Sequence, residues 1–153
     1  MKFKKFLKEV GTHGEVIKVN ESEQWLVCGD VGMVIPRGVK NLLGCETTQD
    51  NSSIIKALRN AELDDVLELV DAKLLDPTGN ASSIYRVFES ELGERAAIIN
   101  SNYGLLEKSD NLGYGELIIP GKEGQEDNVV KFVLVFDASG KTLQGFIKGS
   151  ELF

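Results

Sequence analysis

The sequence predicts an α+β fold: an antiparallel, meander-rich sheet with helices packed on one face. Short apolar runs with a two-residue period alternate with turn-forming residues, and an amphipathic helical run opens the chain. Val129–Phe136 is apolar almost throughout and is predicted to be the central strand. The length of 153 residues and the hydrophobic content of 42% fit one domain over residues 1–153.

The first part of the chain is predicted to form a helix, a meander and a second short helix. Apolar residues recur at helical spacing in residues 2–10, and Gly11 ends this helix. Three β-type runs follow, separated by turn-forming residues: Glu15–Asn20, Gln24–Cys28 and Val31–Ile35. Pro36 favours a short helix over Arg37–Leu43, because the first turn of a helix needs no amide hydrogen at that position.

The middle of the chain mixes helical and strand patterns. A helix is predicted from Asp50 onward, with an apolar stripe formed by Ile54, Ile55, Leu58 and Ala61. The spacing of apolar residues in Leu63–Leu75 fits both a helix and a strand, and the helix is favoured. Ser83–Glu89 and Arg95–Asn100 are predicted to form a hairpin.

The end of the chain carries the strongest strand pattern. Val129–Phe136 and Lys141–Ile147 flank a four-residue turn and are predicted to pair as a hairpin. Glu116–Pro120 is predicted to be a short strand between flexible polar loops. The predicted core residues along the chain are Trp25, Val27, Val34, Ile54, Leu58, Val87, Ile98, Phe132, Leu134 and Phe136.

Residues 16–44 and residues 84–113 are weakly similar, as the two halves of an internal repeat would be. Val16–Glu23 resembles Ile84–Glu91, and in both places another β-type run follows. One interpretation is a duplication. The favoured interpretation is chance, because two amphipathic strands that end in polar turns look alike, and no low-complexity linker divides the chain.

The charge is unevenly distributed along the chain. Residues 1–40 carry seven basic and five acidic side chains, a net charge of +2, whereas the rest carries ten basic and nineteen acidic ones, a net charge of −9. An acidic body of this kind favours a partner with a basic surface and disfavours nucleic acid and anionic membrane. No apolar run is long enough to cross a bilayer, and two unpaired-looking cysteines fit the reducing cytoplasm.

Residues that can carry chemistry are sparse in this sequence. His13, the one histidine, lies in a glycine-flanked turn, and Cys28 and Cys45 are interpreted as small apolar fillers rather than nucleophiles. Asp64, Asp65 and Glu68 form an acidic cluster that is interpreted as a solvated face rather than a metal site. The sequence therefore predicts no catalytic residue, no metal site and no cofactor.

The N-terminal helix is the best local candidate for recognition. Its lysines, at positions 2, 4, 5 and 8, can meet phosphates or an acidic partner, while its aromatic residues can enter a groove. The candidate binding residues of this helix are Lys2, Phe3, Lys4, Lys5, Phe6 and Lys8. A helix this short is marginal alone, so the favoured interpretation is that its apolar stripe docks onto the domain's own core.

The C-terminal Leu152 and Phe153 form the second candidate. Gly149–Phe153 is similar to the short peptides ending in Leu-Phe by which replication proteins dock onto sliding clamps, although the leading Gln of those peptides is absent. Ordinary packing of the chain end is favoured. The order of strand triplets and helices also resembles the repeated unit of sliding clamps at the level of topology, and this resemblance requires Leu63–Leu75 to be a strand.

The sequence favours a non-catalytic acidic binding protein that acts through protein–protein contacts, such as a small inhibitor, an immunity protein or an accessory protein of a phage or mobile element. The alternative is a self-assembling subunit, either a sliding-clamp-like replication accessory or a minor virion protein. Such a homo-oligomer would pair edge strands such as Glu15–Asn20 or Lys141–Ile147 and would meet nucleic acid only when assembled. The third hypothesis, an enzyme using Cys28, Cys45 or the carboxylates near Asp64, is disfavoured.

Overall fold

A computed structural model describes residues 1–39, 46–49, 53–75 and 84–151, with the backbone alone described at 46–49, 53 and 71–75. These residues form three helices and ten strands. The helices are α1 (Phe3–Val10), α2 (Ser53–Leu58) and α3 (Asn100–Tyr103). The strands are β1 (Glu15–Lys18), β2 (Gln24–Cys28), β3 (Val31–Val34), β4 (Glu46–Gln49), β5 (Leu67–Leu75), β6 (Ile84–Ser90), β7 (Arg95–Ile99), β8 (Asn111–Ile119), β9 (Asn128–Phe136) and β10 (Leu143–Lys148).

The described strands lie in two sheets. The larger sheet has seven strands in the order β4-β1-β2-β3-β10-β9-β8, and the smaller has three in the order β5-β6-β7. Neighbouring strands are antiparallel except β1 and β4, which run parallel. An isolated bridge between Val66 and Gly113 joins the start of β5 to β8, so the two sheets meet along this line.

The larger sheet is buried on both faces. Along β9, Val133 and Val135 point into one cluster of buried side chains, the first core, together with α1 and the smaller sheet. Phe132, Leu134 and Phe136 point into a second core on the other face. This two-sided burial explains why β9 is an almost uninterrupted apolar run rather than an alternating one.

Each core contains side chains from a helix. Phe6 and Val10 of α1 are buried in the first core. Ile55 and Leu58 of α2 are buried in the second core, where the Phe146 ring stands edge-on to Phe132 at 5.7 Å between centroids. The sheet-rich, mainly antiparallel α+β class is therefore confirmed, whereas the packing of the helices on one face is not.

The favoured helix over Leu63–Leu75 is wrong, because Leu67–Leu75 forms strand β5. Leu69 lies opposite Phe88 on β6, and the register shifts between Leu69 and Lys73. A shift of this kind breaks the two-residue period, so the apolar spacing no longer alternates cleanly. Pairing with β6 decides the conformation against a local pattern that also fits a helix.

Two predictions about strand position are also wrong. β9 is the second strand from the edge of the larger sheet rather than its central strand, which is β3. The runs predicted as edges, β1 and β10, each lie between two other strands. Layers on both faces of the sheet bury an outer strand as fully as a central one, so burial in the sequence pattern does not reveal the order of strands.

The predicted strand Glu116–Pro120 proves to be the end of a longer strand, since β8 begins at Asn111 and ends at Ile119, one residue before Pro120. Gly113 and Gly115 suggested a loop in the sequence. In the fold, a Cβ at Gly115 would lie 2.8 Å from Leu134, and one at Gly113 would lie 3.2 Å from Phe136. These glycines are therefore places where large core side chains cross the strand.

The remaining element predictions agree with the described residues. The meander, the hairpin of β6 and β7, the hairpin of β9 and β10, and helices α1 and α2 are all present. The predicted core residues Trp25, Leu58, Val87, Ile98, Phe132, Leu134 and Phe136 are buried, while Val27, Val34 and Ile54 are half-buried against the second core. Arg37 and Gly38 form a turn, and the rest of the helix predicted over Arg37–Leu43 falls largely outside the described residues. The internal repeat stays a prediction.

Candidate binding surfaces

Helix α1 is docked on the domain, as the favoured interpretation predicted. The Lys2 amide donates to the Leu105 carbonyl at 2.8 Å, and Phe6 and Val10 are buried. Gly11, with φ of 57°, closes the helix by donating its amide to the Leu7 carbonyl. The helix therefore has a fixed position, and the lysines at positions 2, 4, 5 and 8 are exposed.

The chain's first residue strengthens this docking. The amino group of Met1 lies 2.8 Å from an Asp110 carboxylate oxygen and 3.0 Å from the Gln144 side-chain oxygen. Only 2% and 3% of the Met1 and Asp110 side chains are exposed. Asp110 also accepts the Glu107 amide at 2.9 Å. One carboxylate thus holds the start of α1 to the 107–110 turn.

A cleft of about 470 Å³ lies beside Lys2, which precedes α1, and Tyr103, the last residue of α3, and we call it the α1–α3 cleft. Its apolar lining includes Leu69, Phe88, Tyr103, Leu106 and Leu112, and its charged lining is Lys2, Glu107, Lys108 and Asp110. Around α3, the Arg86 guanidinium stacks 4.4 Å from the centre of the Tyr103 ring, and Lys5 Nζ donates to the Gly104 carbonyl at 3.2 Å. Three parts of the chain, namely α1, β6 and the 104–108 segment, therefore place cations near the aromatic lining of this cleft.

A second groove, of about 310 Å³, runs along β5 and β6, and we call it the β5–β6 groove. Its lining is Glu68, Leu69, Val70, Glu89, Ser90 and Glu91, with no cation among these residues. Glu68 lies directly opposite Glu89 across the strand pair. Glu89 is paired with Arg95 at 2.6 Å on its other side, an exposed ion pair that stabilises the fold only weakly.

The predicted acidic cluster is split by the fold. Asp65 is buried and accepts the Leu92 amide at 3.3 Å, so it fastens the β6–β7 turn. Asp64 and Glu68 are exposed. Among the described residues, no three side chains of the His, Cys, Asp and Glu types are arranged to hold a metal ion.

The outer end of β8 is the third notable surface. Ile118 and Val129 lie opposite each other on β8 and β9 and are 59% and 48% exposed, and the adjacent Ile119 is 46% exposed. Nearer the core, the Tyr114 hydroxyl donates to Glu116 at 3.0 Å. Burial raises the pKa of Tyr114, and the nearby carboxylates of Glu116 and Glu94 raise it further, so this hydroxyl keeps its proton and remains a donor.

The residues considered for nucleophilic chemistry are not arranged as a pair. Cys28 Sγ lies 3.9 Å from the backbone carbonyl of His13, not from its imidazole, and His13 is exposed. Cys45 lies outside the described residues. This contact is what a weak thiol donor makes to a backbone acceptor, and it does not activate the sulfur.

The candidate binding residues divide into three groups. Lys2, Lys4, Lys5 and Lys8 are exposed and Phe3 is half-buried, so they remain available for contact. Phe6 is buried in the first core and is thereby withdrawn from any surface. Leu152 and Phe153 lie outside the described residues.

Sequence reasoning missed the β5–β6 groove and the outer end of β8. Glu68 and Glu89 are distant in sequence and meet only because β5 pairs with β6. For β8 a signal existed, since Leu117, Ile118 and Ile119 are three consecutive apolar residues where a half-buried strand would alternate.

Comparison of the chain with family models, curated proteins and solved structures found no match. Within the described part of the chain, no helix has the length and apolar character that crossing a membrane requires.

Proposed function

We propose that this protein is a non-catalytic binding protein whose β5–β6 groove covers a basic surface of a protein partner. The observation that carries the proposal is the groove itself, whose charged lining residues are Glu68, Glu89 and Glu91, with no cation among the lining residues. Like charges directly opposite each other on paired strands oppose folding. A local cost of this kind is expected where a surface serves binding rather than stability.

The groove offers the two parts that a protein interface needs. Leu69 is 41% exposed and Leu92, in the β6–β7 turn next to Glu91, is 81% exposed, so apolar surface is exposed near the carboxylates. Apolar anchors supply affinity through burial, while charges of complementary sign steer the partner and fix its orientation. The net charge of −9 on residues 41–153 extends this attraction over the wider surface. The predicted cytoplasmic location is part of the same proposal.

The test is capture of the partner from a cell extract with matched charge variants. Glu68→Lys combined with Glu91→Lys reverses the groove, and Glu123→Lys combined with Glu126→Lys makes the same change in net charge on the 121–127 loop. We expect the wild type and the loop variant to retain a basic protein that the groove variant loses. Binding should weaken steeply as salt rises, since added ions screen exposed charges. Equal capture by both variants would contradict the proposal.

The second candidate function is a self-assembling subunit. The observation that favours it is the outer end of β8, where exposed apolar side chains adjoin an edge of the larger sheet. Unpaired edges are a common means by which chains join.

A further inference from the structure

Strand β8 is an edge of the larger sheet, and only its first half is covered. The Tyr114 amide donates to the Asp65 carbonyl at 2.7 Å, and the bridge between Val66 and Gly113 lies beside it. Beyond Tyr114, β9 is the one described strand that pairs with β8. The stretch Glu116–Ile119 therefore has one side of its backbone free of any described strand.

The direction of the free backbone groups follows from the Tyr114 hydrogen bond. Because the Tyr114 amide points away from β9, and alternate amides of a strand point to the same side, the amides of Glu116 and Ile118 also point outward. Those of Leu117 and Ile119 point towards β9. The backbone amide and carbonyl groups of Glu116 and Ile118 therefore point away from β9, on a regular extended strand.

The two edges of the larger sheet differ in composition. β4, at the far edge, consists of Glu46, Thr47, Thr48 and Gln49. The free part of β8 contains Leu117, Ile118 and Ile119, flanked by Val129 on β9. Long charged side chains and polar residues normally protect edges. The β8 edge lacks that protection over three residues.

We infer that the free edge of β8 pairs with the same edge of a second copy of this chain, antiparallel and centred on Ile118. In this register the Ile118 amide of each copy donates to the Ile118 carbonyl of the other, and each Glu116 amide donates to the other Pro120 carbonyl. Pro120 has no amide hydrogen to donate, and a proline is acceptable at the last position of a strand pair. This pairing would be the interface of the self-assembling subunit, our second candidate function. The inference rests on that proposed function.

Self-complementarity is the argument for a second copy. On one face, the pairing forms a continuous apolar row of Val129, Ile118 and the same two residues of the other copy. On the other face, Leu117 lies opposite Ile119 of the other copy. On the Ile118 face, Glu116 of one copy lies opposite Pro120 of the other. Lys122 of that other copy brings a positive charge diagonally towards this Glu116, so no like charges meet.

Other registers fit less well. Centring on Leu117 would place Pro120 of the second copy opposite Tyr114, whose amide is already bonded to Asp65. It would also put Glu116 opposite Ile118. Centring on Ile119 would place Ile118 opposite Pro120 on both sides of the axis, and Pro120 has no amide hydrogen to donate to the Ile118 carbonyl. The Ile118-centred register uses the free segment and its apolar residues most fully.

The paired segment is short, so the dimer is expected to be reversible. Permanent dimers bury about 2,000 Å² or more, whereas weak and transient interfaces bury less than about 1,200 Å², and a pair of edges only a few residues long belongs with the latter. The fraction of dimer should therefore rise with protein concentration over the range from about 1 μM to about 1 mM.

Sedimentation velocity over that concentration range tests the inference with charge variants. We expect the wild type to shift from monomer to dimer and Ile118→Lys to remain monomeric, because two like charges would meet at the twofold axis. Ala138→Lys adds the same charge in the exposed turn between β9 and β10, at the opposite end of these strands from Ile118, and should behave as the wild type. An equimolar mixture of Ile118→Lys and Ile118→Asp should dimerise, although neither variant does so alone. A monomeric wild type, or a mixture that stays monomeric, would overturn the inference.

Hydrogen exchange provides a measurement that needs no variant. The amides of Leu117 and Ile119 should be protected at every concentration, whereas those of Glu116 and Ile118 should become at least tenfold slower to exchange when dimer forms. Unchanged exchange at Glu116 and Ile118 in a dimeric sample would overturn the proposed pairing. Because the partner-capture variants lie outside β8, loss of partner binding and loss of dimerisation can be distinguished.

Discussion

Leu69 lines both the α1–α3 cleft and the β5–β6 groove, and the charged residues of the two surfaces differ. The cleft is lined by Lys2 and Lys108 together with Glu107 and Asp110, and Lys5 and Arg86 lie beside α3. On the groove side, all the charged lining residues are glutamates. A formal net charge of −7 for the whole chain therefore conceals two adjoining surfaces of different character, one with mixed charges and one acidic.

The two regions acquire their charges by different routes. Lys4 and Lys5 of α1 precede Lys8 by four and three residues, so a helical pattern is enough to bring them together. The glutamates of the groove come from two strands and the turn that follows, and only strand pairing assembles them. The difference shows that a charged surface can be predicted from sequence when one element carries it, but not when pairing creates it.

The largest expected effect tests whether the basic region depends on its helix being docked. Phe6→Ala removes a buried ring from the first core and should lower the free energy of unfolding by about 3–5 kcal/mol. Urea denaturation followed by circular dichroism measures this loss. Phe3→Ala is the matched control, because Phe3 is half-buried and should lose much less. Similar losses for both variants would show that α1 is not anchored through Phe6.

An intermediate effect is expected from the carboxylate that fixes the start of α1. Asp110→Asn removes the charge that pairs with the partly buried Met1 amino group and should cost about 2 kcal/mol, the scale of a charge-assisted hydrogen bond. Thermal unfolding at neutral pH measures it. Glu107→Gln, an exposed change in the same turn, should leave the melting temperature nearly unchanged. An unchanged melting temperature for Asp110→Asn would mean that the amino group is hydrated instead.

The sequence predicted local structure well and three-dimensional arrangement poorly. Helix α1 and the hairpin of β9 and β10 were correct because each depends on neighbouring residues and a strong turn. Strand β5 was missed because its conformation depends on β6, and its register shift hides the alternation. Of the candidate site, the lysine face of α1 was predicted. The acidic groove and the β8 edge require knowledge of which strands are neighbours.

The smallest expected effect addresses the acidic region directly. Glu68→Lys replaces a like-charge cross-strand pair with an opposite-charge pair, which should raise the free energy of unfolding by about 0.2–1 kcal/mol. Urea denaturation measures the gain, with Glu123→Lys on the 121–127 loop as a control of equal charge change. A gain in stability accompanied by loss of partner capture would show that Glu68 opposes folding and favours binding. A loss of stability for Glu68→Lys would instead mean that Glu68 stabilises the fold, and this result would contradict an unfavourable interaction between Glu68 and Glu89.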